Sequence, residues 1–224
     1  ISKQHSSSVN CVKCQRSNSC NSYEIQGRSP IQKPKWIKYS TTGKSLIIAN
    51  DFEVTYLTNK FEKIGNTRKC DRQITDVQTF DDMAIIGTND GCVTLWNSQR
   101  TNPITSWRAD VQSESDHPLL LAAAQHNLTV LTARGDSSVV LWDLNRAQFV
   151  SEWELRKPFI TSALCVHPSN ENIFAVGSTE GMFTAFDTRC PAESPLALMT
   201  LNYPIRSISG SLANSDCVYV ACPS

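Results

Sequence analysis

This 224-residue chain has no excess of charge, since 21 basic side chains face 21 acidic ones. A balanced chain lacks the positive field with which proteins hold nucleic acid or anionic membranes, so neither is an expected partner. Nor does it contain an apolar run near the roughly 20 residues of a membrane-spanning helix, and membrane insertion is not expected. Glycine is scarce: nine residues, scattered and mostly at turns. No glycine-rich phosphate loop is present, and the H-E-x-x-H, G-x-S-x-G and P-loop patterns are absent too. No catalytic residue, small-molecule substrate or cofactor is therefore expected. No segment sustains a 3.6-residue apolar period, which excludes long amphipathic helices. Residues 1–10 (ISKQHSSSVN) are polar and serine-rich, without the apolar core of a secretory signal. The chain is expected in the cytoplasm or nucleus.

Cysteine is the residue present in unexpected number, nine copies. Cys92, Cys165 and Cys217 lie in apolar strand-like runs and read as small buried hydrophobes in a reducing compartment. Cys11, Cys14 and Cys20, with His5 nearby, have part of a zinc spacing. A zinc site needs four ligands, however, and no second close pair follows, so no metal is expected. Cys165 and His167 share a strand face but have no third group to complete a nucleophilic site. The sequon at Asn127 matters only in a secreted protein.

Residues 84–97 organise the chain. They read AIIGTNDGCVTLWN, an apolar run, a polar turn and a second apolar run. Asp-Gly between two β-rich runs is a strong hairpin signal, because both residues tolerate turn geometry. The pattern recurs at 130–143 (VLTARGDSSVVLWD) and 174–187 (FAVGSTEGMFTAFD). In each copy an acidic turn residue precedes an aromatic by six positions: Asp90 and Trp96, Asp136 and Trp142, Glu180 and Phe186. The aromatics stand 46 and 44 residues apart, a spacing of repeat arrays with several strands per unit. Units of about four short strands follow at 35–66, 72–108, 117–155 and 158–202, and an incomplete one at 204–224. Residues 1–30 are a polar tail or a degenerate first unit, and residues 31–224 form one repeat domain.

The triplets LWN (95–97), LWD (141–143) and AFD (185–187), each following its turn acid, resemble the repeats of the WD-repeat β-propeller family. That resemblance implies an all-β propeller of four-stranded antiparallel blades, with four to five blades present out of about seven. It also implies a buried hydrogen-bonded set of a Ser or Thr, an Asp, a Trp and a loop His in each blade. Carried over, the set takes Thr88, Asp90 and Trp96 in one unit and Asp136 and Trp142 in the next, with Arg134 where a hydroxyl is expected. Ser178 and Glu180 fit in the fourth unit, where Phe186 lacks the indole N–H. His117 is the loop histidine of the third unit, and His5 that of a degraded first one. The sets are structural.

Function is expected on the loops. The resemblance implies a non-catalytic interaction scaffold whose rim loops bind other proteins in a multisubunit assembly. The stretch 173–189, ending in Asp187-x-Arg189, resembles the extended signature of cullin-4 ubiquitin-ligase substrate receptors, which makes Asp187 and Arg189 candidate partner-binding residues. A nuclear-pore-type scaffold is a further alternative. The basic run Arg68-Lys69-Cys70-Asp71-Arg72 and the acidic loop 110–117 read as solvated faces able to meet a charged partner.

Overall fold

A computed structural model describes residues 10–13, 21–24, 33–40, 42–58, 60–109, 118–124, 126–135, 138–155, 159–191, 194–211 and 217–223. Among these residues the chain is all strand and turn, with no helix. A hairpin of β1 (Asn10–Lys13) and β2 (Asn21–Glu24) comes first. The first four-stranded sheet holds β3 (Trp36–Tyr39), β4 (Ser45–Ala49), β5 (Glu53–Thr58) and β6 (Lys63–Lys69). The second holds β7 (Ile74–Phe80), β8 (Met83–Thr88), β9 (Cys92–Trp96) and β10 (Thr105–Arg108). The third holds β11 (Leu119–Ala124), β12 (Thr129–Arg134), β13 (Ser138–Asp143) and β14 (Gln148–Glu154). The fourth holds β15 (Thr161–Val166), β16 (Ile173–Ser178), β17 (Met182–Asp187) and β18 (Ala197–Thr200), and β19 (Ser207–Gly210) pairs with β20 (Val218–Ala221). Every sheet is an antiparallel meander with its strands in chain order.

The sheets stack as propeller blades. The first strand of each lies beside the first strand of the next, β3 by β7, β7 by β11, β11 by β15 and β15 by β19. These strands line the axis, and the fourth strands form the periphery. The second strands are covered on both faces, which is why β4, β8 and β16 read as unbroken apolar runs rather than alternating ones. The hairpin at 84–97 forms as the sequence indicates. Ala84 pairs with Trp96 and Gly87 with Val93, and Gly91 takes the left-handed backbone at φ 78° that closes the turn.

The core is divided among the interfaces between blades. Ile47, Val54 and Tyr56 of the first blade pack on Ile74, Ile86 and Trp96 of the second. Ile85, Val93 and Leu95 meet Leu119, Leu121 and Val130. Leu131, Leu141 and Trp153 meet Phe159, Phe174 and Phe186. Phe183 and Ala185 meet Ile205 and Ile208. Each fully buried aliphatic or aromatic side chain contributes about 1.5–3 kcal/mol, so each blade is stabilised chiefly by its neighbours. The contact is close enough to require glycine at one point, since a Cβ on Gly177 would fall 2.5 Å from Ile205 Cγ2.

The outer strands depart from the sequence reading. The sequence marks 61–64 as the first blade's fourth strand, whereas β6 runs Lys63–Lys69. KIGNTRK has no apolar alternation, and its strand form comes from pairing with β5. The outer strand of the second blade, which the sequence marks at 104–107, runs Thr105–Arg108.

Candidate functional site

Thr88 closes β8, and its hydroxyl donates to the Asp90 carboxylate at 2.6 Å. The same oxygen of Asp90 accepts the Cys92 N–H at 3.4 Å. Partial burial works against the charge on Asp90, but the Thr88 hydroxyl, the Cys92 N–H and the nearby Arg72 charge prevail and hold it below the usual carboxylate range. Thr88 and Asp90 are thus brought together. Trp96 is fully buried but is not joined to them: its indole N–H donates to the Arg100 carbonyl at 2.9 Å, in the connection to β10. The register explains why. Trp96 lies opposite Ala84, and the next residue of β8 on that face is Ile86, so no hydroxyl is in reach. Tyr56 of the first blade covers the ring edge-on at 5.4 Å and donates its hydroxyl to the Trp96 carbonyl at 3.2 Å.

The third blade has the hydroxyl. Trp142 lies opposite Val130, and its indole N–H donates to Thr132 Oγ1 at 3.0 Å, a buried bond between side chains. Thr132, two positions before Arg134, is the residue that counting from the turn missed. Arg134 instead donates to the Asn89 carbonyl of the second blade at 2.7 Å. In the fourth blade Val176 occupies the place of Thr132, and Phe186 stacks on Phe174 at 5.2 Å with no N–H to satisfy. Ser178 Oγ accepts the N–H groups of Glu180 and Met182, while Glu180 accepts from Thr179 Oγ1 and the Ile160 N–H. His117 and Asp136, like His5, lie outside the described residues.

Asp187 and Arg189 form a local unit at the end of β17. The Asp187 carboxylate accepts the Arg189 N–H at 2.9 Å, Nε at 2.9 Å and Nη2 at 2.6 Å. Arg189 holds the carboxyl below its ordinary range, with burial opposing it. The carboxylate is sheltered, but the Arg189 side chain is 64% exposed. The pair therefore fastens its own turn and leaves a guanidinium face on the rim.

Several bridges between blades have no sequence motif. Asp76 sits at an irregularity of β7 and reaches into the third blade, where its carboxylate accepts the Leu121 N–H at 2.8 Å. Burial pushes its pKa up, against that N–H and the charge of Lys38. Gln78 donates to the Leu121 carbonyl and Thr75 to that of Leu119. On the rim formed by the turns between first and second strands, Glu171 accepts the N–H groups of His126 and Asn127. His167 packs on Gly210 and lies 3.3 Å from the Cys217 carbonyl through Nε2. Cys165 is kept protonated by burial. Among the described residues no group of His, Cys, Asp and Glu is arranged to hold a metal ion.

No known protein-family model matches the chain. Over 133 residues it is 26% identical to the target of rapamycin complex 1 subunit mip1 of Schizosaccharomyces pombe, covering 55% of this chain and 10% of that protein. The crystal structure of Chaetomium thermophilum Raptor shares its fold across 81% of this chain and 18% of the other, with a TM-score of 0.71 and 20% identity. The chain thus spans about a tenth of the length of the curated relative it matches.

Proposed function

We propose that this chain is a propeller segment of a target of rapamycin complex 1 subunit, serving as a non-catalytic scaffold whose rim loops dock other proteins. The observation that carries the reading is the similarity to mip1 over 133 residues. The likeness to Raptor agrees with it in fold. The physical mechanism is positional. Apolar interfaces between blades fix the strands, and the strands present turns such as 89–91, 126–128, 167–172 and 187–190 at fixed places on the rims. In this reading the sheets are divergent WD-type blades of a propeller that closes with about seven. The repeat domain spans residues 31–224 with its first unit near residue 35, and the protein resides in the cytoplasm or nucleus.

The Asp187–Arg189 pair satisfies its own turn, and no further observation favours the ubiquitin-ligase or nuclear-pore readings. Affinity purification of the tagged intact protein from its own cells tests the proposal. Co-purification of the target of rapamycin protein, seen by mass spectrometry, is expected. Its absence, with the bait intact and soluble, overturns the assignment.

A further inference from the structure

Turn 89–91 of the second blade is ringed by arginines from three parts of the chain. Arg134, at the end of β12, donates Nη2 to the Asn89 carbonyl at 2.7 Å. Arg108, the last residue of β10, donates Nη2 to the Asp90 carbonyl at 3.2 Å. Arg72 lies in the connection from β6 to β7, next to Gln73, whose carbonyl accepts the Asn89 N–H at 2.9 Å, and its charge favours the ionised Asp90. Arg68 is also close, its charge acting on Cys92 just beyond the turn. A carbonyl orients the Arg108 guanidinium without neutralising it. The Asp90 carboxylate, bonded by the Thr88 hydroxyl and the Cys92 N–H, keeps its charge and offsets one arginine. Asp71, the carboxylate of the basic run 68–72, offsets a second. Arg72 and Arg108 are both exposed. Arg68, Arg72 and Arg108 thus outnumber Asp71 and Asp90 around this turn.

We propose that Arg72 and Arg108, arranged around turn 89–91, form a docking site for an acidic peptide segment of a partner protein. The proposal rests on the rim-binding reading above and supplies the chemistry of the partner. Guanidinium groups suit carboxylates, which they meet through paired N–H donors. A nucleic acid is the poorer fit, because binding it needs a longer basic track with many phosphate contacts. An acidic peptide would instead be steered to this one rim position by local charge, with a salt-sensitive association rate.

The test is fluorescence anisotropy with a labelled Glu/Asp-rich peptide and the intact protein. Saturable binding that weakens between low and physiological salt is expected. R72E/R108E should lower affinity about tenfold or more, R72K/R108K less, and the distant K44E/R146E not at all. Thermal unfolding of each variant separates loss of binding from loss of fold. Wild-type affinity in R72E/R108E overturns the proposal. So does equal, equally Arg72/Arg108-dependent binding of a single-stranded DNA of matched charge. Binding that is absent, or appears only once Asp110, Glu114 and Asp116 are neutralised, overturns it as a partner site. Failure here with retained co-purification of the target of rapamycin protein removes this site and leaves the scaffold assignment standing.

Discussion

The second and third blades place a tryptophan at the same point of the same strand and satisfy it in different ways. Trp142 bonds across the ladder to Thr132, side chain to side chain, in a buried setting. Trp96 turns its N–H to the Arg100 carbonyl in its own following loop, because the matching position on β8 is Ile86. The fourth blade completes the series with Val176 and Phe186, where donor and acceptor are both missing. A buried indole N–H needs a partner, but the partner need not be the hydroxyl the repeat usually provides. The burial of the ring is common to all three blades, whereas the cross-strand bond belongs to one.

The comparison makes its largest prediction where the blades agree. Trp96→Ala and Trp142→Ala should each destabilise the chain by about 3–5 kcal/mol through the cavity left between blades. Denaturant unfolding measures this, and a loss below about 1 kcal/mol in either would show that the ring is not core. The blades should then diverge on removal of the N–H alone. Trp142→Phe strands the buried Thr132 hydroxyl and should cost about 1–3 kcal/mol, much of it recovered in the double variant with Thr132→Val. Trp96→Phe leaves a loop carbonyl that water can reach and should cost under about 1 kcal/mol beyond the lost ring area. Equal costs for the two Phe variants would erase the distinction.

The smallest effect concerns the Asp187–Arg189 pair. Asp187 titrates below its ordinary value of 3.8 when folded. Its contribution is therefore present above that value and lost as pH falls through the lower folded pKa. Wild type and Arg189→Ala should differ in unfolding midpoint near neutral pH and converge in strong acid. The gap should be small because the arginine is exposed. A gap that persists in strong acid would assign the effect to packing instead.

Much of the fold was legible because the turn chemistry is local. Asp90-Gly91 between apolar runs set the hairpin, and the recurring aromatics set the period of the blades. The outer strand Lys63–Lys69 was not legible, because its residues carry no alternation and only pairing with β5 makes them a strand. At the site, the resemblance to the WD repeat implied the pairing of Thr88 and Asp90, and it holds here because the two are neighbours in one turn. Thr132 could not, because its role depends on which residue of β12 falls beside Trp142, and that is a matter of register. Asp76 and Glu171 were invisible for a related reason. Their partners, Leu121 and the backbone at 126–127, lie about 45 residues away in sequence on the neighbouring blade. The arginines around turn 89–91 come from three separate stretches, and only Arg68 and Arg72 stood in a recognisable basic run.

In the proposed reading these sheets are blades of a scaffold whose rims carry its contacts within a target of rapamycin assembly. Electron cryomicroscopy of the intact protein purified with its partners is the decisive experiment. Density should show this chain as an arc of a propeller with rim turns such as 89–91 against another protein. A propeller whose rims all face solvent in the assembled complex, or density without stacked blades, would contradict it.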